Sequence, residues 1–316
     1  MNFVDLTTYF LFFLFGFFAN KTIRRFIKRS TQWSIGIYEG KSPFVLAQPK
    51  KVNNPVLSAK NINDVEAEFV ADPFMLLKDG MWYMFFEVMN KKNKKGEIAL
   101  ATSKDGYNWK YEKVVLKEPF HLSYPYVFSW DNEYYMVPET FQTKSVRLYK
   151  AVKFPHKWTF VNTLIEGHPF IDATVVFFNG KWWLFTTLPR NNILLLYYSE
   201  SLSGEWKSHP QNPIIMGDPS ISRPGGRPII YNNRLFRFTQ DGSSRYGSQV
   251  RAFEIITITP ETYEEALYDL NPIIKASGSG WNKLGMHNVD VHQIEENKWI
   301  ACVDGEGEYI NFSLQF

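Results

Sequence analysis

One spacing recurs five times in this chain and limits what it can fold into. Two positions, one at each end of an apolar, aromatic-rich run, lie 15 residues apart. They are Asp72 and Glu87 in ADPFMLLKDGMWYMFFE, Tyr124 and Glu139 in YPYVFSWDNEYYMVPE, and Asp172 and Thr187 in DATVVFFNGKWWLFTT. Gly225 and Gln240 in GGRPIIYNNRLFRFTQ and Val289 and Asp304 in VDVHQIEENKWIACVD complete the series. Each copy carries a turn signal at its centre (KDG, WDN, FNG, YNN, EEN) between strand-forming residues, which is the pattern of a β-hairpin. Hairpins repeating roughly every 50 residues predict an all-β chain folded as a five-bladed β-propeller.

The remainder of each repeat supplies the outer strands. An apolar segment, a turn and a Trp follow the first three hairpins, with Trp109, Trp158 and Trp206 in matching places. The fourth copy replaces that Trp strand with VRAFEIITITPETYEEALYD, and the fifth is too short for a whole blade. The segment WSIGIYEGKSPFVL (33–46) is therefore expected to supply a missing outer strand and close the ring. Closure removes exposed sheet edges, which otherwise pair with other chains.

Bulk composition narrows the function classes. The 316 residues, 17% aromatic and 21% charged, are enough for one large all-β domain with a sizeable core. Net charge is only +3, and the basic clusters at 21–29 and in NKKNKKG (90–96) lack interleaved aromatics, so no nucleic-acid partner is expected. The second cluster reads as a solvated hairpin tip of the first blade. Cys302 is the one cysteine; it sits in an apolar run as a small core residue and excludes an internal disulfide. NKT (20–22) and NFS (311–313) match the glycosylation pattern, which is frequent by chance.

The amino terminus has a different character. FVDLTTYFLFFLFGFFA (3–19) is followed by Lys21, Arg24, Arg25, Lys28 and Arg29, so the charge stands after the apolar run, unlike a secretory signal. As a helix this run would reach about 25 Å, the short end of what crosses a bilayer. It is expected to be a membrane-anchor helix, either spanning or lying in the interface, with the propeller on the cytoplasmic side. The domain reading is an anchor and basic flank over 1–30 and the propeller over 31–316.

Propeller geometry nominates a site. The entrances of the innermost strands point at one end of the central channel, which groups Asp72, Tyr124, Asp172, Arg223 and Arg227 of RPGGRP, and His287 and Asp290 of HNVD. The exits hold Glu87, Glu139, Gln240 with the adjacent Asp241, and Asp304, and a hairpin brings its two ends together. The mundane alternatives are definite: Asp-Pro also starts strands as a turn, buried glutamates also serve as structural partners, and His287 also serves as a turn residue. Two arginines flanking a Gly pair would hold a carboxylate or phosphate well. No Gly-rich phosphate loop, nucleophile elbow, HExxH or Cys/His cluster is present, so no metal or cofactor is expected. Carboxylates, arginines and aromatics together are the composition of a carbohydrate site.

At these residues the chain resembles a known family. NPVL, FVADPFML, WYMFFE, GEIALATSKDGYNW, HLSYPYVF, YYMVPE, LYKAVKFPHKW, IDATVV, GGRPIIY, RFTQD and YG are similar, in order, to the amino-terminal propeller of plant glucosamine inositolphosphorylceramide transferase and its bacterial relatives, over residues 33–260. That resemblance implies a role in surface polysaccharide or glycolipid assembly, with a glycan, sugar-nucleotide or glycolipid substrate. The plant enzyme's sugar transfer is assigned to a separate carboxyl-terminal domain, which implies a partner glycosyltransferase for this propeller. More distantly the repeat looks like family-43 glycoside hydrolases, which use a first-blade Asp base, a third-blade Asp that tunes pKa, and a fourth-blade Glu acid in an EGP-like motif. Asp72 and Asp172 match the first two; GRP (226–228) departs from the third. On this resemblance Asp72 is the base, Asp172 its tuner or a sugar-hydroxyl acceptor, Glu139 a candidate acid, and Glu87, Tyr124, the arginines, Gln240, Asp241, His287 and Asp290 bind substrate. Two readings stay open: glycosyl transfer or hydrolysis at the cavity, and a non-catalytic glycan- or lipid-headgroup-binding module.

Overall fold

In the computed structural model, which describes residues 27–312, the five hairpins are the inner halves of five antiparallel sheets. Blade I runs outward through Ala67–Lys78, Met81–Asn90, Lys95–Ser103 and Lys110–Leu116, and blade II through Ser123–Trp130, Glu133–Glu139, Ser145–Lys153 and Lys157–Glu166. Blade III comprises Ile171–Phe178, Lys181–Thr187, Ile193–Ser199 and a short outer pair of residues, Lys207–Ser208. In blade IV the innermost strand is broken into Arg223–Pro224 and Ile229–Tyr231, followed by Arg234–Gln240, Gln249–Ile258 and Tyr263–Leu267.

Blade V closes the ring. Val289–Glu295 and Lys298–Phe312 come from the carboxyl end, and Ile27–Ser42 with Val45–Ala47 supply two outer strands where one was expected. Residues 33–307 form one compact unit. A second unit contains 1–32 and 308–316; its described residues, 27–32 and 308–312, are all extended strand. The run 3–19, read above as an anchor, lies outside the described residues, as does NKT. Among the described residues no helix is long and apolar enough to cross a membrane.

Local chemistry explains the repetition. The central turn residues adopt left-handed backbone in every hairpin: Asp79 and Gly80, Asp131 and Asn132, Asn179 and Gly180, Asn232 and Asn233, and Asn297. Asn, Asp and Gly tolerate that conformation, and a two-residue turn of this hand matches the strand twist. The repeated Trp has a repeated job. The indole N–H donates to a turn carbonyl just before it, Trp109 to Gly106 (2.9 Å), Trp158 to Pro155 (2.9 Å) and Trp206 to Leu202 (3.2 Å). Blade IV lacks that Trp and instead buries Arg237 against Glu265 and Tyr263 of its outer strand. The lysines Lys91, Lys92 and Lys94 sit exposed in the turn after Met81–Asn90.

Apolar faces of neighbouring sheets meet in separate clusters. Phe74, Phe85, Tyr126, Phe128 and Trp182 fill the contacts among blades I to III, and Phe44, Phe236, Phe238 and Trp299 those near blades IV and V. Burying one such side chain contributes about 1.5–3 kcal/mol. Cys302 is fully buried in the cluster that also holds Ile35, Met84 and Ile300, as a small core residue.

Candidate functional site

A shared irregularity turns three side chains toward the axis. In blade I, Ala71 pairs with Glu87 but Phe74 with Phe85; in blade II, Ser123 pairs with Glu139 but Tyr126 with Val137; in blade III, Ile171 pairs with Thr187 but Thr174 with Phe185. Each slip is a one-residue bulge, and the residue inside it has positive φ: Asp72 (53°), Tyr124 (44°) and Asp172 (49°). Left-handed backbone costs a residue with a Cβ about 1–2 kcal/mol. Bulges re-aim side chains, and strain repeated at aligned positions clusters where function is built.

The two remaining blades depart from that geometry. Blade IV places Gly226 (φ 149°) at its break, where an added Cβ would stand 2.0 Å from the Val289 carbonyl oxygen. Blade V pairs in plain register there, Val289 with Val303 and Asp290 with Cys302. Val289 is consequently core, and the polar groups come from His287 and Asn288 just ahead of the strand.

Carboxylates link one blade to the next. Asp304 Oδ2 accepts the Asp72 amide (3.1 Å), Asp72 Oδ2 accepts the Tyr124 amide (3.2 Å), and Glu139 Oε2 accepts the Asp172 amide (3.3 Å). The bulged amides face away from any ladder partner, and buried N–H groups need acceptors. Asp304 Oδ1 also receives the amides of His287 and Asn288, both at 3.0 Å. Entrance and exit residues thus share one cluster.

His287 stands between two of those acids. Its Nδ1 is 2.7 Å from Asp304 Oδ2 and its Nε2 is 3.5 Å from Asp72 Oδ1. Burial alone would depress the imidazole pKa, but Asp304 and Asp72 outweigh it and the net shift is upward. Ligand atoms of Asp72, His287 and Asp304 lie within 4.8 Å of one another, the metal-like grouping found among the described residues. Backbone amides bond both Asp304 oxygens and Asp72 Oδ2, which ties the acids of this grouping to the neighbouring strands.

The acids are held toward their neutral forms. Burial pushes Asp72 up to about 7, aided by Asp172 and Asp304 and opposed by His287 and Arg223. Glu87 and Glu139 are raised well above the usual carboxylate range, again chiefly by burial, with neighbouring carboxylates adding to it. Glu87 Oε1 has no hydrogen-bond partner and faces His121 Nε2 at 3.6 Å. His121 Nδ1 accepts the Gly96 amide (2.9 Å), which leaves the ring proton on the nitrogen facing Glu87.

The arginines part company. Arg223 Nε donates to Asp172 Oδ2 at 2.6 Å, and Gln240 Nε2 donates to the same oxygen at 2.9 Å. Arg227 instead pairs with Asp290 (2.6 and 3.2 Å) and reaches the Met75 carbonyl, against the rings of Tyr126 and Phe74. Asp290 further accepts the Met75 amide and contacts His292; burial opposes its ionisation, but Arg227 and His292 lower its pKa to about 2. These two pairs share no neighbour among those contacts, so Arg227 and Asp290 form a separate tie between blades. Tyr124 is also committed: its hydroxyl receives the Gly226 amide (2.8 Å) and bonds the Gly226 carbonyl (3.3 Å). Asp241 organises its own loop, accepting from Ser243, Gln249 and Arg251.

Three contributors escaped the sequence reading. Trp33 stacks on His287 with ring centroids 4.0 Å apart, Tyr246 meets both rings edge-on, and His121 backs Glu87. The WSIGIYEG segment was read only as a closing strand, and nothing in its spacing ties Trp33 to the mouth.

Comparison with known proteins follows the same lines. A family model, "Glucosamine inositolphosphorylceramide transferase 1, N-terminal", matches residues 28–306. Proteins named glucosamine inositolphosphorylceramide transferase 1 from Oryza sativa subsp. japonica and Arabidopsis thaliana are 37% identical over 297 residues and 33% identical over 299. Each alignment covers 87% of this chain but only 40% and 39% of the relative, so the chain spans about two fifths of their length. Among solved structures, a family 117 glycoside hydrolase from Zobellia galactanivorans superposes with a TM-score of 0.55 at 14% identity, over 90% of this chain and 91% of that one. A thermostable family-43 glycoside hydrolase gives a TM-score of 0.51 at 14% identity, over 62% and 73%. These likenesses establish the fold.

Proposed function

Because this chain belongs to the family of the N-terminal domain of glucosamine inositolphosphorylceramide transferase 1, we propose that it acts on carbohydrate at the carboxylate mouth, in glycosyl transfer or glycoside hydrolysis during surface glycan or glycolipid assembly. The observation that carries this reading is the convergence of Asp72, Asp172, Glu139 and Glu87 around His287 and Arg223. Electrostatics hold them in different states: Asp72 poised near 7, both glutamates far above their usual range, and Asp172 fixed against a guanidinium. Acids and bases pushed apart in this way suit proton transfer.

In this reading Asp72 takes the proton from an acceptor hydroxyl or water as its oxygen bonds the anomeric carbon. The bond to the leaving oxygen breaks, and that oxygen takes a proton from Glu139 or departs as phosphate beside Arg223. Asp172, held by Arg223 and Gln240, accepts a sugar hydroxyl. The apolar run 3–19 would keep this chemistry at a membrane surface, on the cytoplasmic side.

A second reading, a glycan- or headgroup-binding module serving a separate glycosyltransferase, is favoured by one observation: GRP (226–228) puts no carboxylate at the fourth-blade place where the family-43 resemblance implies an acid. The deciding experiment compares wild type with Asp72→Asn on a panel of nitrophenyl glycosides and sugar nucleotides. Turnover by wild type that is lost in the variant, with binding kept, supports catalysis. Binding without turnover in both proteins leaves the module.

A further inference from the structure

Two aromatic side chains, Tyr246 and Trp33, stand against His287 at the edge of the carboxylate cluster. Tyr246 sits in the loop 241–248 of blade IV and is 44% exposed. Its ring centre is 5.3 Å from that of His287, which faces Asp72, so it stands beside the cluster, where burial together with Asp72, Asp172 and Glu139 pushes its hydroxyl's pKa well up against the pull of Arg223. The Arg223 guanidinium lies 5.1 Å from the ring centre. Trp33, half-buried, completes the wall from the closing strand, edge-to-face with Tyr246 at 6.2 Å. Among the described residues neither the Tyr246 hydroxyl nor the Trp33 indole N–H has a hydrogen-bond partner, although such groups normally find one when packed.

The loop is built to stay there. Asp241 ties its base, Arg245 pairs with Glu306, and the Gly247 carbonyl accepts the Met286 amide at 2.8 Å. Gly247 has φ +65°, and a Cβ on it would meet His287 at 2.8 Å and Trp33 at 3.0 Å. Only glycine lets the chain come this close.

We propose that Tyr246 and Trp33 form an outer subsite that takes the apolar face of a cyclic polyol, a pyranose or an inositol ring, and presents its hydroxyls to Asp72 and Asp172. The subsite rests on the carbohydrate reading and adds its ligand class. An aromatic wall facing fixed carboxylates and an arginine matches a ring with C–H groups on its face and hydroxyls on its rim. A flat aromatic ligand would satisfy the wall and leave the carboxylates without a partner.

The test titrates full-length wild type, Tyr246→Ala, Tyr246→Phe and Asp172→Asn by calorimetry. The probes are methyl glycosides of glucose, mannose, galactose and glucuronic acid, and myo-inositol 1-phosphate. Wild type is expected to bind at least one probe, Tyr246→Ala to weaken it about tenfold, as loss of one aromatic stack implies, and Tyr246→Phe to retain most of the affinity. The probe that binds identifies sugar or inositol as the ring. Affinity altered in Asp172→Asn but unchanged in Tyr246→Ala would overturn the subsite alone. No binding of any probe by wild type would overturn the carbohydrate reading and the subsite with it. Tyr246 is exposed, so its variants should melt with wild type, and a matching thermal midpoint certifies the comparison.

Discussion

Arg223 Nε lies 2.6 Å from Asp172 Oδ2, with 14% of one side chain and 1% of the other exposed. Blade IV therefore reaches across to the third-blade carboxylate with a cation. Asp172 is held by charge, by Gln240 and by its own bulged backbone, which leaves it positioned rather than free to move.

That pairing sets the first prediction. Arg223→Ala strands a buried carboxylate and should cost about 3–5 kcal/mol of stability, because the partner's desolvation is no longer offset. Arg223→Lys keeps the charge and should cost less. Urea denaturation of the three proteins measures this; equal midpoints for wild type and Arg223→Ala would refute it.

The second concerns pH. Asp72 has a folded pKa of about 7, above its unfolded value, so the folded state holds a proton that the unfolded chain has released. Stability from this group is therefore intact below about 4 and declines as pH rises toward 7. Glu87 and Glu139 act in the same direction, and His287, also raised, loses its contribution as pH passes its folded value. Asp72→Asn mimics the protonated acid and should gain on wild type between pH 4.5 and 8 in thermal midpoint. A difference that stays flat across that range would remove Asp72 from the cluster's titration. Any turnover that depends on Asp72 as base should rise through pH 7.

Third, a glutamate is not accommodated at Gly226 by simple substitution. Gly226→Glu would place a Cβ 2.0 Å from the Val289 carbonyl oxygen at φ +149°. Overpacking of this kind typically costs 1–3 kcal/mol, and here the obstacle is backbone, so a loss of about 3 kcal/mol or more is expected. A variant that folds with wild-type stability would show that blades IV and V can separate at this point.

Fourth, Asp304 holds the ring closed. Asp304→Ala leaves the amides of Asp72, His287 and Asn288 without their acceptor, all of them buried. The loss should be about 3–5 kcal/mol, with Asp304→Asn falling between the variant and wild type. Hydrogen exchange at those three amides reports the effect directly; unchanged protection in Asp304→Ala would mean other acceptors had replaced it.

The repeat was legible because local chemistry wrote it five times. Left-handed turn residues, aromatic strands and the fixed interval of 15 residues follow from hairpin geometry alone, which is why the propeller and the alignment of Asp72 with Tyr124 and Asp172 could be read directly. In the fifth copy the interval itself lands on Val289, a core residue, and the His287 named for that blade lies two positions ahead of it; the interval carries no record of whether a strand contains a bulge, and one residue of slip exchanges channel for core. Arg223 and Arg227, four residues apart, looked like one anion clamp; the break at Gly226 sends them to different carboxylates. Trp33 and Tyr246 lie in the quoted WSIGIYEG and YG stretches but nothing local tied them to the site, since their meeting over His287 depends on ring closure bringing the first described strand into the last blade. Sequence determined what each hairpin is, because a hairpin is decided by neighbours in the chain. Which side chains face one another was decided only by the closed ring, because its contacts join residues from 33 positions apart, Glu139 and Asp172, to 232, Asp72 and Asp304.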